Sequence, residues 1–249
     1  VSSGAAEKND VTAAKGRASV RSVLEVIFPG RCLLCGEWLQ PDGDHDSPLC
    51  AECGPTVPLL GGRRCERCGV ELISEQGTCL RCRTADFGFD SNVSLFANTG
   101  PAQRLLAALK FGGRARIAAW FAVQAAGVLG ALGLSGAVLV PSPPRPGRRE
   151  PDAVERVARV LEQSHGVDVR RILFRTSVVQ QKSLDYEQRR DNLRGRIRFT
   201  PSAQGNALPS EVVLLDDVFT TGATLDACAR ALREGGCRGV RAVTLVIEE

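Results

Sequence analysis

Four CxxC pairs crowd the first third of this chain: Cys32/Cys35, Cys50/Cys53, Cys65/Cys68 and Cys79/Cys82. Residues 31 to about 85 are otherwise turns and polar side chains, with too few large apolar residues for an ordinary core. Repeated CxxC makes a poor disulfide scaffold, because so short a loop is a strained bridge or a redox site. Thiolate pairs that hold zinc do repeat it. The spacings C-x2-C-x14-C-x2-C and C-x2-C-x10-C-x2-C have the shape of two zinc sites with four cysteines each. Consecutive pairing would group Cys32, Cys35, Cys50 and Cys53, then Cys65, Cys68, Cys79 and Cys82; a cross-braced arrangement is the alternative. In CLLCG, CAECG and CERCG a glycine follows the second cysteine and permits a tight turn whose amides point at sulfur. CLRCR lacks that glycine. Zinc binding worth roughly 10–16 kcal/mol per site folds such a segment outright, so a structural zinc module is expected.

Free thiolates in this pattern fit a reducing compartment, and the cytoplasm is the expected location. The remaining cysteines, Cys228 and Cys237, stand alone. A zinc finger that touches nucleic acid is the competing reading of the module, with Arg31, Arg63, Arg64, Arg67, Arg81 and Arg83 as its contacts. Acidic residues are interleaved among them, which favours the structural role. A net charge of +4 over 249 residues permits phosphate contacts without announcing a nucleic-acid binder.

The expected organisation is a disordered leader over 1–18, an N-terminal helix over 19–30, a double zinc-ribbon-like module over 31–87 and an α/β domain over 88–249. The helix rests on Val20, Val23, Leu24 and Ile27, which share one face before Pro29 and Gly30. From Ile117 to Val140 the chain is uncharged, but nearly half of it is Ala and Gly, so a buried helix and strand are expected rather than a membrane span. Strands are expected at 93–98, 137–144, around 169–174 and 196–200, at 212–216 and at 240–247. Helices are expected at 101–111, at 117 to about 132, at 151–163 with Pro151 in the first turn, and from Ala223 to Gly235-Gly236. Alternation of helices with uninterrupted apolar strands gives a mostly parallel sheet covered on both faces.

Within that domain VVLLDDVFTTGATL (212–225) carries the chemistry. A buried strand is expected to end at Leu215, placing Asp216 and Asp217 at the carboxyl edge where open α/β sheets bind ligands. Thr220, Thr221, Gly222, Ala223 and Thr224 then turn the chain into a helix. The amides at its positive end and the threonine hydroxyls form an anion cradle, and Gly222 lets the backbone come close. Two carboxylates beside a phosphate cradle suit ribose hydroxyls or a magnesium ion. The plain alternative is a strand-turn-helix in which Asp and Thr are caps.

The string hhhhDDxxTTGxT resembles the 5-phosphoribosyl-1-diphosphate (PRPP) signature of type I phosphoribosyltransferases. Four CxxC pairs ahead of it resemble the ComF/GntX family, whose competence members are linked to uptake of transforming DNA. VLEVIFPGRCLLCG, LAALKFGGR (106–114) and RTSVVQQKSLDYEQRRDNLRGRIRF (175–199) are similar to segments of that family. The resemblance implies a sheet of type I phosphoribosyltransferase type and a glycosyltransferase reaction on PRPP with magnesium. Asp216 and Asp217 would meet the ribose, 220–224 the 5-phosphate, and Lys110 and Arg149 the pyrophosphate. It further implies a loop near the site that holds Gln181, Arg189 and Asn192. Where relatives carry Arg-Gly-Phe-Asn this chain reads RREPDAV, and Glu150, if turned inward, would repel pyrophosphate. A non-catalytic sensor of PRPP or a nucleotide, and a single-stranded-DNA-binding accessory using the arginines of 189–198, are the other two classes.

Overall fold

The computed structural model describes residues 30–39, 47–112, 115–147, 150–176, 196–200 and 208–248. The leader, the helix expected over 19–30 apart from Gly30, and the loop carrying Gln181, Arg189 and Asn192 lie outside the described residues, as does Arg149. Among the described residues the chain runs α1 (Leu80–Thr84), β1 (Ser91–Ala97), α2 (Gly100–Gly112), α3 (Ala115–Ala131) and β2 (Val138–Pro141). It continues through α4 (Ala153–His165), β3 (Leu173–Arg175), β4 (Ile197–Phe199), β5 (Glu211–Phe219), α5 (Ala223–Glu234) and β6 (Gly239–Ile247).

Four strands form one parallel sheet in the order β1-β6-β5-β2, while β3 and β4 pair antiparallel beside it. The fold is therefore α/β with a parallel main sheet preceded by a cysteine-rich module, as the alternation of apolar segments requires. Both sheet faces are buried. On one, Leu95, Leu139, Val213, Leu215 and Val243 pack with Leu105, Leu109, Phe121, Ala125, Val157 and Leu161 from α2, α3 and α4. On the other, Val140, Val212, Leu214, Val240 and Ala242 pack with Leu225, Ala229 and Leu232 of α5 and with Ile197 of β4.

The cysteine module contributes to both cores. Cys32, Leu49 and Val57 join the first, and Cys65, Cys68, Leu72, Cys79 and Cys82 join the second. Its two halves thus sit against opposite faces of the sheet, and thiol side chains stand in for the aliphatic groups this segment lacks.

The strand expected over 137–144 ends at Pro141 and the one expected around 169–174 is Leu173–Arg175; two further differences have a visible cause. α4 begins at Ala153 rather than at Pro151, because the Asp152 carboxylate accepts from Glu155 N at 3.0 Å and caps the helix. Such a cap satisfies one of the first amides of the helix, which lack an intrahelical acceptor. At its other end Gly166 takes the left-handed conformation, φ 65°, as a C-terminal glycine does. The second difference concerns β5, which does not end at Leu215 but runs on through both aspartates to Phe219. β6 continues beside it, pairing Asp216 with Thr244 and Phe219 with Ile247, so the ladder persists on that side. On the other side β2 stops at Pro141, opposite Leu215, where a run of prolines has no amides to extend the pairing. A cleft opens where β2 departs and β5 carries on.

Asp226 of α5, fully buried, ties this helix to the segment leaving the cysteine module. Its carboxylate accepts from Gly88 N at 2.7 Å and from Arg230 Nε at 2.9 Å. Asp226→Ala leaves a buried amide unserved and takes from Arg230 one of its two carboxylates, the other being Asp86. It should lower the unfolding free energy in urea titration by about 3 kcal/mol.

Candidate functional site

The cleft beyond β2 is a cavity of about 530 Å³ lined by Lys110, Ser142, Arg145, Asp152, Arg175, Asp216, Asp217, Thr220 and Thr224 among others. Strand β5 places the two aspartates, successive side chains of a strand pointing to opposite sides of it. Asp216 is buried and Asp217 partly exposed. The Asp216 Oδ1 atom accepts from Ser142 Oγ at 2.7 Å and from Asp217 N at 3.0 Å. Asp217 Oδ2 pairs with Lys110 Nζ at 2.8 Å, from the last turn of α2. Burial, and then the neighbouring charge of Asp217, push the Asp216 carboxyl up to about 7, against the Ser142 and Asp217 hydrogen bonds and the Arg175 charge.

After Phe219 the chain turns through Thr220 and Thr221 to Gly222, which caps α5 at φ 77°. A side chain there is excluded twice: by the left-handed backbone, and by the Phe219 and Phe87 rings, which lie 3.1 and 3.2 Å from where a Cβ would stand. The Thr221 hydroxyl accepts from Ala223 N at 3.3 Å, while Thr220 and Thr224 line the cavity. The first turn of α5 therefore faces the carboxylate pair across one cavity, with the positive end of the helix dipole at the loop.

Of the expected site residues, the structure brings Lys110, Asp216, Asp217, Thr220 and Thr224 into this cavity, with Thr221, Gly222 and Ala223 forming the adjoining loop. Lys110 stands on the Asp217 carboxylate. Glu150 does not line the cavity; it is turned to Arg156 Nη2, 3.3 Å away. Asp152 does line it, while its carboxylate caps α4. Ser142 and Arg175 were not legible as site residues. Ser142 sits in PSPP, which reads only as a strand end, and Arg175 lies across the fold on β3. The Arg175 Nε atom is buried without a hydrogen-bond partner among the described residues, an unspent donor beside the cavity. Cys228, fully buried in α5, has its thiol pushed up by burial and by the Asp216 charge, so it is not a nucleophile in waiting.

The eight paired cysteines fall into two consecutive groups, Cys32, Cys35, Cys50, Cys53 and Cys65, Cys68, Cys79, Cys82, with the sulfurs of each within 4.8 Å of one another. Consecutive pairing holds, and cross-bracing does not. Separations of 3.7 Å for Cys35–Cys50 and for Cys68–Cys79 are far too long for disulfides. They match the edges of a tetrahedron with metal–sulfur bonds of about 2.3 Å, so the donor sets fit zinc. Burial opposes ionisation of Cys32 and Cys65, yet backbone amides outweigh it and bring each thiol down to about 6. The amides at Cys32 are those of Cys35, Cys50 and Leu34, and at Cys65 those of Cys68, Cys79 and Arg67.

Four of the module's arginines are turned to the protein itself. Arg31 stacks on Trp38, Arg63 donates to Glu75 O, Arg64 to Gly61 O and Arg67 to Phe87 O. Among the described residues no helix is long and apolar enough to cross a membrane.

These features define a class: a zinc-ribbon protein whose module is built onto a parallel α/β sheet with an acidic, loop-capped cleft. The family model of the double zinc ribbon domain matches residues 23–83. Competence protein ComFC of Streptococcus pneumoniae (strain ATCC BAA-255 / R6) is 25% identical over 227 residues, 87% of this chain and 99% of that protein. The chain is a ComF-like protein with a zinc module.

Two outcomes follow from this geometry. Metal analysis should find two zinc ions per chain, and Cys65→Ser should reduce that to about one while lowering the melting temperature. The second concerns pH. Because Asp216 is protonated more readily folded than unfolded, the folded state holds the extra proton between its ordinary value of 3.8 and about 7. Its contribution is fully present below that window and is lost as pH rises through 7. Asp216→Asn keeps the Oδ1 acceptor and removes the charge. In metal-free buffer its melting temperature should fall less between pH 5 and pH 8 than that of wild type.

Proposed function

We propose that this cleft binds PRPP, or a related phosphoribosyl ligand, together with magnesium, and transfers the phosphoribosyl group to an acceptor. The observation that carries this reading is the pairing, across one cavity, of two strand-end carboxylates with a glycine-capped loop at a helix N-terminus. Asp216 and Asp217 accept from the ribose hydroxyls, and the loop 220–224 receives the 5-phosphate. Arg175, Arg145 and Lys110 supply positive charge for the diphosphate, with Glu150 held off by Arg156. The aspartate oxygens suit magnesium, which when bound with the ligand neutralises diphosphate charge and helps that group to leave.

Displacement of pyrophosphate at the anomeric carbon passes through an oxocarbenium-like state, so the residues of this chain act by position and charge. The Lys110–Asp217 pair engages Oδ2, so Asp217 accepts from the ribose through its other oxygen while Lys110 stays beside the diphosphate. Asp216, ionising near pH 7, accepts better as pH rises. The name of the ComFC relative supports a role in competence for this chain as well. The arginine run that would serve a single-stranded-DNA accessory lies largely outside the described residues.

Calorimetry with PRPP and magnesium tests the reading. Wild type should bind, and the pair Asp217→Asn with Thr221→Ala should weaken binding at least tenfold, about 1.4 kcal/mol. No binding by wild type sinks the ligand assignment. Pyrophosphate release over a panel of bases then separates a transferase from a sensor that binds without turnover.

A further inference from the structure

One arginine of the zinc module does not serve the module. Arg81 sits between the ligands Cys79 and Cys82 on α1, yet its guanidinium reaches across the sequence to the loop before α5. Its Nη2 donates to Thr221 O at 2.5 Å and its Nη1 lies 3.5 Å from Thr220 O. The same group stands 5.7 Å from the Phe87 ring centroid and 5.9 Å from that of Phe219, the two rings that pack at Gly222. Arg81 does not line the cavity, so it holds the loop from behind.

In a trans peptide the carbonyl and the following amide point in opposite directions. Fixing Thr220 O therefore fixes Thr221 N–H, and fixing Thr221 O fixes Gly222 N–H, both turned away from Arg81. A cation on the carbonyl side also polarises each peptide and strengthens its N–H as a donor. Resting on the phosphoribosyl reading above, we propose that Arg81 is a positioning residue: the second zinc site presents it to the phosphate loop, and it aligns that loop's amides for the ligand's phosphate. The binding site is then shared between module and sheet. Arginine suits the task because one planar fork serves two carbonyls, whereas a lysine serves them as a point charge.

Amide hydrogen exchange, zinc content and calorimetry with PRPP and magnesium on Arg81→Ala and Arg81→Lys test this on the full zinc-loaded chain. Both variants should keep the wild-type zinc content and the protection of β6. In Arg81→Ala the amides of Thr221 and Gly222 should exchange at least tenfold faster and ligand affinity should fall about tenfold; Arg81→Lys should recover part of each. Unchanged exchange in the loop overturns the proposal, as does faster exchange with wild-type affinity. If Arg81→Ala loses zinc or fails to fold, Arg81→Lys decides by the same two readouts. Failure of wild type to bind PRPP strikes the ligand reading alone, and the exchange measurement still decides whether Arg81 holds the loop.

Discussion

Two carboxylates side by side at the end of a buried strand repel one another, and the surrounding architecture is arranged around that repulsion. Asp216, out of water, takes hydrogen bonds from Ser142 and from the next amide. Asp217 turns to solvent and to Lys110. The short β2, ended by prolines, is what gives Ser142 its place beside Asp216, and the last turn of α2 brings the lysine. Such a pair is unfavourable for stability alone. It is well matched to a ligand that brings hydroxyl donors and cations.

The zinc ribbons solve a different problem. A segment without enough aliphatic side chains is given shape by metal and thiolate, and then lends its sulfurs to both faces of the sheet. The second ribbon goes further, because Arg230 and Arg233 of α5 reach back to Asp86, Gly88 and Asp90 just beyond its last cysteine. The helix that follows the threonine-glycine loop is thereby bound to the segment leaving the module along its length, not only at its first turn.

Much of this was legible in the residues. The cysteine spacings, the apolar strands and the glycine before α5 are local signals, and local chemistry decides them. What could not be read depends on partners far along the chain. The extra length of β5 is set by how far β6 accompanies it and by where β2 stops, neither of which is written in VVLLDD. Arg81 looked like a candidate for nucleic acid because its spacing shows only a charge between two ligands. Its carbonyl acceptors stand about 140 residues later, a distance over which no pattern of spacing reaches. Pro151 was read as a helix residue because a cap is a matter of side-chain direction, and Asp152 next to it fits the cap better.

The sheet order has a consequence for how such a chain is made. β6, last of the strands in sequence, lies between β1 and β5, with Ser91 paired to Arg241. The cysteine groups close over short loops and are complete early in translation, whereas the sheet has no interior until β6 has left the ribosome. Contacts of such long range form slowly. The ribbons are therefore positioned to shape themselves on metal first and wait, as a pre-built template, for the sheet that will later need their arginine.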